Sequence, residues 1–149
     1  MESAGKVLIV DDNRMNRNLL NDFVTSLGYA AVIAQNGREA LEQMEKTPID
    51  IVLLDIMMPE MDGREVLSHM KGTEDSRHIP VIMISSLDDM NTVEACIQQG
   101  ADDYLSKPFN PIILRARLAS ALAKKRLHDE QEAHRQEIEA YNLLSLIHI

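Results

Sequence analysis

Short apolar runs alternate with amphipathic stretches along this chain. Val7 to Val10, Ala30 to Ala34, Ile51 to Leu54 and Val81 to Ile84 are four such runs, and Tyr104-Leu105 is a shorter fifth. The first, third and fourth are continuous in apolar character, as expected of parallel strands covered on both faces. Between them, apolar residues recur at helical spacing. Met15, Leu19, Leu20, Phe23, Val24 and Leu27 precede a stop at Gly28; Ala40, Leu41 and Met44 precede Pro48. Val66, Leu67 and Met70 precede Gly72, Val93, Cys96 and Ile97 precede Gly100, and Ile112, Ile113, Ala116 and Leu118 open a fifth helix. Five βα units in succession predict an α/β fold, a doubly wound parallel sheet of five strands with helices on both faces. Sites in such sheets lie outside the C-terminal ends of the strands.

The character changes after Asn110. Neither Gly nor Pro follows Pro111, and helix formers with mixed charges dominate, so one long C-terminal helix is expected to run well past the domain. This divides the chain into a domain over residues 4–124 and a helical extension over 125–149. A seam through Leu127, Gln131, His134, Ile138, Tyr141 and Ser145 has heptad spacing, but half its members are polar. A self-associating coiled coil and a solvated linker both remain open. The apolar close LLSLIHI suggests a helix leading into something larger, such as an effector.

Composition narrows the function. Apolar residues make up 45% of the 149, enough to fill one core, while aromatics are only 3%, so that core must be aliphatic and Met-rich. A formal charge of −9 gives no basic footprint for nucleic acid and leaves cations or basic partners open. The single cysteine, Cys96, permits no intrachain disulfide; it reads as a small buried hydrophobe in a reducing, cytoplasmic setting. No apolar run approaches the ~18 residues of a membrane span, and the N-terminus lacks the features of a secretory signal.

Polar groups gather where the strands end. Asp11-Asp12 follows the first run, Asp55 the third, Ser85-Ser86 the fourth, and Lys107-Pro108 lies just past the fifth. Taken singly, each has a plainer reading: an aspartate as turn former, Ser85 as a helix cap, Lys-Pro as nothing in particular. In a parallel sheet, however, all of them share one edge. Three neighbouring carboxylates resist ionising together unless a cation compensates them, and hard oxygen donors on an open edge suit Mg²⁺. Lys107 and Ser85 favour an anion with several acceptor oxygens. A carboxylate between a divalent ion and an ammonium is placed to attack phosphorus, which predicts an aspartyl phosphate.

The segments VLIVDDN, VLLDIMMPEMDG, PVIMISS and GADDYLSKPF resemble the signature segments of two-component response-regulator receiver domains. The resemblance runs from about Lys6 to Ala123. The separations fit as well, thirty residues from Asp55 to Ser85 and fifty-two from Asp55 to Lys107. It implies a flavodoxin-like strand order 2-1-3-4-5, with Asp55 as phosphoacceptor for a sensor histidine kinase or phosphotransfer protein. It further implies Mg²⁺ (Mn²⁺ as substitute) on Asp11, Asp12, Asp55 and the Met57 backbone carbonyl. Ser85 and Lys107 would contact the phosphoryl group, Tyr104 would be the aromatic switch, and the Lys107-Pro108 peptide would be cis. The output face would be the fourth helix, fifth strand and fifth helix, which with the C-terminal helix is also a candidate surface for a homodimer. Catalysis by the chain would be confined to its own phosphorylation and dephosphorylation. Ser85 stands where Thr is commoner and Ser86 where Ala or Gly is frequent, and neither removes a required group. Met57 and Leu87 flank the expected path of the hydrolytic water without offering a proton acceptor, so a long-lived phosphoryl state is expected.

Competing readings fare worse. A phosphatase of the haloacid-dehalogenase type wants a second Asp two residues after the nucleophile, where this chain has Met57. A flavin module is disfavoured by scarce aromatics and the carboxylate-lined edge, and a receiver that has lost phosphorylation by the presence of every acceptor group. A receiver within a hybrid histidine kinase remains an alternative.

Overall fold

The computed structural model describes residues 3–86 and 90–147. Strands β1 (Lys6–Val10), β2 (Ala30–Ala34), β3 (Ile51–Asp55), β4 (Val81–Ser85) and β5 (Asp103–Ser106) alternate with five helices. These are α1 (Arg14–Ser26), α2 (Gly37–Lys46), α3 (Gly63–Gly72), α4 (Met90–Gln99) and α5 (Pro111–Ile147). All strand pairs are parallel, in the order β2-β1-β3-β4-β5. Both the alternation and the order agree with the sequence expectation.

The continuous apolar runs are explained by two separate core layers. Leu8, Val10, Val52, Leu54, Val81 and Met83 face α2, α3 and α4, meeting Ala40, Val66, Leu67, Met70, Val93 and Cys96. Their sequence neighbours Val7, Ile9, Ile51, Leu53, Ile82 and Ile84 face α1 and α5, meeting Leu20, Val24, Leu114 and Leu118. Because strand side chains alternate between faces, every position in β1, β3 and β4 must be apolar to fill both layers. The edge strand β2 is only partly buried, which matches its weaker, Ala-rich run.

Local chemistry sets the helix ends. Asn13, Asn36 and Asp62 each accept from the backbone N–H three residues on (Asn16, Glu39 and Glu65) at 3.1, 2.8 and 3.0 Å, which satisfies first-turn donors. Glu39 in turn accepts from the Gln35 N–H at 3.0 Å. Past α1 the chain turns at Gly28 with φ +95°, a conformation that a Cβ would disfavour.

Helix α5 is 37 residues long, and its middle is tied to the opposite edge of the sheet from the strand tips. Lys125 is buried, pairing with Asp129 at 2.6 Å and lying 3.8 Å from Asp50, which precedes β3. Arg126 donates to the Ala4 carbonyl at 2.7 Å, and Lys124 pairs with Asp102, just before β5. His128 stacks on His78, which precedes β4, with ring centroids 4.2 Å apart. Burial, then the neighbouring His128 and Lys125 charges, hold the His78 pKa below its ordinary value. Along the helix, all six residues of the heptad seam are exposed.

Candidate functional site

The C-terminal strand ends bring Asp11, Asp55, Ser85 and Lys107 to one edge. In the register of β1, β3, β4 and β5, Val10 pairs with Leu54, Asp55 with Ile84, and Ser85 with Ser106. The residues that close or follow each strand therefore share one rim. Asp11, Asp55 and Ser85 are buried, with exposures of 0%, 3% and 1%. Asp12 is exposed on the rim. Ligand atoms of Asp11, Asp12 and Asp55 all lie within 4.8 Å of one another.

One ammonium faces the two buried acids. Lys107 Nζ is 3.5 Å from Asp55 Oδ2 and 3.7 Å from Asp11 Oδ2. The peptide Lys107-Pro108 is cis, and the Lys107 N–H donates to the Ser85 carbonyl at 2.8 Å. Backbone contacts hold the acids in place. The Asn13 N–H donates to Asp11 Oδ1 at 2.9 Å, Arg17 donates to the Asp11 carbonyl at 2.8 Å, and the Met57 N–H reaches Asp55 Oδ1 at 3.4 Å. Arg17 had no signal of its own in the sequence, being one more basic residue on a polar helix face.

Charge in this pocket is under-compensated. Burial first, and then the Asp11 charge, push the Asp55 carboxyl up to about 6, against the weaker pull of Lys107 and the Met57 N–H. Asp11 Oδ2 and Ser85 Oγ are buried without a hydrogen-bond partner among the described residues. A buried acceptor and a buried hydroxyl left unmatched are costly on their own, and each has capacity for a further group. An all-oxygen donor set carrying surplus negative charge fits a hard divalent cation. The pocket can therefore take both a cation, on the aspartates, and an anion, against Lys107 and Ser85.

The remaining residues of interest are placed as follows. The Met57 side chain, two residues past Asp55, is 63% exposed. Tyr104, on β5 beside Met83, is half-buried against the α2/α3/α4 core layer. Leu87 lies outside the described residues. Cys96 is buried in that same layer, and burial raises its thiol pKa, so it behaves as a packing residue.

Residues 7–119 match the response regulator receiver domain family. The chain belongs to that family. It is 39% identical over 83% of its length to "Probable transcriptional regulator ycf27" of Guillardia theta, covering 48% of that protein. Among solved structures it resembles the signal receiver domain of a signal transduction histidine kinase from Syntrophus aciditrophicus, with a TM-score of 0.74 and 34% identity. That likeness covers 80% of this chain and 90% of the other. A third relative is the chemotaxis protein CheY4 of Vibrio cholerae, at TM-score 0.75 and 30% identity, covering 79% of this chain and 98% of that one. The chain spans about half the length of the curated relatives it matches. It is thus a receiver domain of two-component signalling with a long helical continuation. No helix among the described residues is long and apolar enough to cross a membrane.

Proposed function

We propose that this receiver accepts a phosphoryl group on Asp55 from the phosphohistidine of a sensor histidine kinase or phosphotransfer protein. The observation that carries the reading is the buried Asp55 carboxylate facing Lys107 at 3.5 Å, beside a Ser85 hydroxyl with no hydrogen-bond partner among the described residues. An Asp55 oxygen attacks phosphorus in line, the N–P bond breaks, and the imidazole leaves with the electron pair. Mg²⁺, with Mn²⁺ as substitute, would be held by Asp11, Asp12, Asp55 and the Met57 carbonyl and would neutralise the phosphoryl oxygens. The donor set supports this through the spare acceptor of Asp11 and the raised pKa of Asp55.

The product is dianionic and offers three acceptor oxygens. Lys107 pairs with it, and Ser85 turns its hydroxyl toward it, drawing the C-terminal end of β4 inward. Tyr104 moves into the space that this motion vacates. Only contacts that exist in the phosphorylated state can shift the conformational balance, and Ser85, whose hydroxyl has no hydrogen-bond partner among the described residues, supplies one. The output is read on α4, β5 and α5. Residues 4–124 form the phosphoacceptor unit, and the extension over 125–149 carries the change to an output domain or partner. A second copy can dock through α4-β5-α5 or along the exposed extension, where Ile138 and Tyr141 lie open. The chain's own chemistry is limited to gaining and losing the phosphoryl group, in the cytoplasm, without direct contact to nucleic acid. Placement inside a hybrid kinase is the second reading, favoured by the likeness to a histidine-kinase receiver. Onward transfer from the phosphorylated chain to a histidine phosphotransfer protein would distinguish it.

Incubation with acetyl phosphate should give a phosphoprotein when Mg²⁺ is present and none in EDTA. Asp55→Ala should remove the signal entirely; undiminished labelling of that variant would refute the assignment. The bulky Met57 side chain offers the hydrolytic water no group to take its proton. Met57→Asn is therefore expected to shorten the phosphoryl lifetime at least about tenfold. The effect stays below the ~10²–10⁴ of a true general base, because a carboxamide orients water without taking its proton. An unchanged decay rate of the labelled protein would remove Met57 from the lifetime argument.

A further inference from the structure

At the sheet edge opposite Asp55, the α3–β4 connection meets α5. There, side chains from the two elements converge: His78 from the connection, His128 and Asp129 from the helix. Their donor atoms all lie within 4.8 Å of one another, and the two imidazoles lie nearly parallel, 14° apart. We propose that His78, His128 and Asp129 form a second cation site, selective for a borderline transition ion such as Zn²⁺.

The donor chemistry separates this site from the acidic pocket. Two imidazoles with one carboxylate are a nitrogen-rich set that suits Zn²⁺, whereas the all-oxygen pocket suits Mg²⁺. Three protein ligands leave a fourth position for water or for a nearby acid; Glu74 and Asp75 line the same groove, where Glu132 is already paired with Arg135. Zn–N bonds of about 2.0 Å set tetrahedral donors roughly 3.3 Å apart, so the cluster has to contract by at most about 1.5 Å, and the stacked rings have to turn until their in-plane lone pairs converge. Both histidines are only half-buried, and side-chain rotation can supply that contraction.

Lys125 is the competitor, since it holds both Asp129 oxygens at 2.6 and 2.8 Å. It also faces Asp50 at 3.8 Å, so it retains a counter-ion when Asp129 turns to the metal. Occupancy would fasten the connection leading into β4 to the base of the helical extension. The strand so fastened ends in Ser85, and the helix is the one that leaves the domain. The site is independent of the phosphoacceptor reading, because its ligands and its position differ from those of the acidic pocket.

Calorimetric titration of untagged protein with Zn²⁺, in excess Mg²⁺, tests it. One equivalent should bind, and the same equivalent should bind to Asp55→Asn. His78→Gln and His128→Gln should each weaken binding at least tenfold, while His134→Ala, on the same helix outside the cluster, should leave it unchanged. Co²⁺ should give visible d–d bands in wild type that fade in the two glutamine variants, and circular dichroism of each variant should match wild type. No uptake by wild type, uptake by the two glutamine variants undiminished from wild type, or loss of uptake in Asp11→Asn would overturn the proposal.

Discussion

Asparagine in place of Asp55 is expected to raise the stability of the metal-free domain at pH 7 while abolishing phosphoryl acceptance. The folded state lifts the Asp55 carboxyl from 3.8 to about 6, so the native protein binds this proton more tightly than the unfolded chain. Below the unfolded value both states carry the proton and the group costs nothing. As pH rises from about 4 to about 6, the unfolded chain loses this proton while the native carboxyl still holds it, so stability falls; above that range both are ionised and the penalty is complete. At 1.36 kcal/mol per pKa unit, it is on the order of 1–3 kcal/mol. The Asp55→Asn side chain would remove the charge but keep an oxygen for Lys107, and its amide could donate to Asp11 Oδ2, which faces Lys107 but accepts no hydrogen bond among the described residues. Urea unfolding in EDTA should therefore show the variant more stable than wild type at pH 7, with the gap closing toward pH 4. Mg²⁺ should stabilise wild type more than the variant. A variant less stable than wild type at pH 7 would contradict the charge argument.

A second large effect is expected at Gly63, which bears no functional group. A Cβ there would sit 2.3 Å from the Asp55 carbonyl oxygen and 2.8 Å from Ile56 Cα. Both are backbone atoms at the end of β3 and cannot swing aside as a flexible side chain would. The Gly63 N–H also donates to the Ile56 carbonyl at 2.8 Å, holding α3 against the strand tip. Gly63→Ala should cost about 3 kcal/mol, the upper part of the range for overpacking. That corresponds to a fall of roughly 10 °C in the melting temperature of a chain of this size. Because the atom struck belongs to Asp55 itself, phosphorylation by acetyl phosphate should slow as well. Gly72, where an added Cβ meets nothing within 4 Å, is the control: Gly72→Ala should be nearly neutral in both assays. Equal behaviour of the two variants would mean that β3 and α3 tolerate separation.

The two glycines show where sequence reading stops. They stand at the two ends of one helix, and only the packing of α3 on β3 separates the critical one from the tolerant one. The fold was legible because β1, β3 and β4 must fill two core layers, which leaves an unbroken apolar run that few other environments require. The rim was legible for a related reason: a charge or hydroxyl ending such a run falls at a predictable edge of a parallel sheet. Less accessible was the division of labour within Asp11-Asp12, where one acid is buried against Lys107 and the other stays exposed. Alternation along the chain assigns the two to different environments but does not say which faces inward. The anchoring of α5 was hidden altogether. Ala4, Asp50, His78 and Asp102 are distant in sequence, and only the sheet order makes them neighbours of residues 124–128.

That anchoring also bears on how a change at one edge reaches the other. Ser85 ends β4 at the rim that carries Asp55, while His78, just before the same strand, rests on α5 at the far edge. A shift at Ser85 would thus have a short covalent and packed route, through β4 and His78, to the helix that leaves the domain. Every step of that route presupposes that the phosphoryl group resides on Asp55. The most direct measurement is to phosphorylate the protein with acetyl phosphate and Mg²⁺, trap the adduct by borohydride reduction, and locate it by peptide mass spectrometry. The reduced residue should be Asp55 alone. A trapped adduct on Asp11, Asp12 or any other side chain, with Asp55 unmodified, would contradict the central claim.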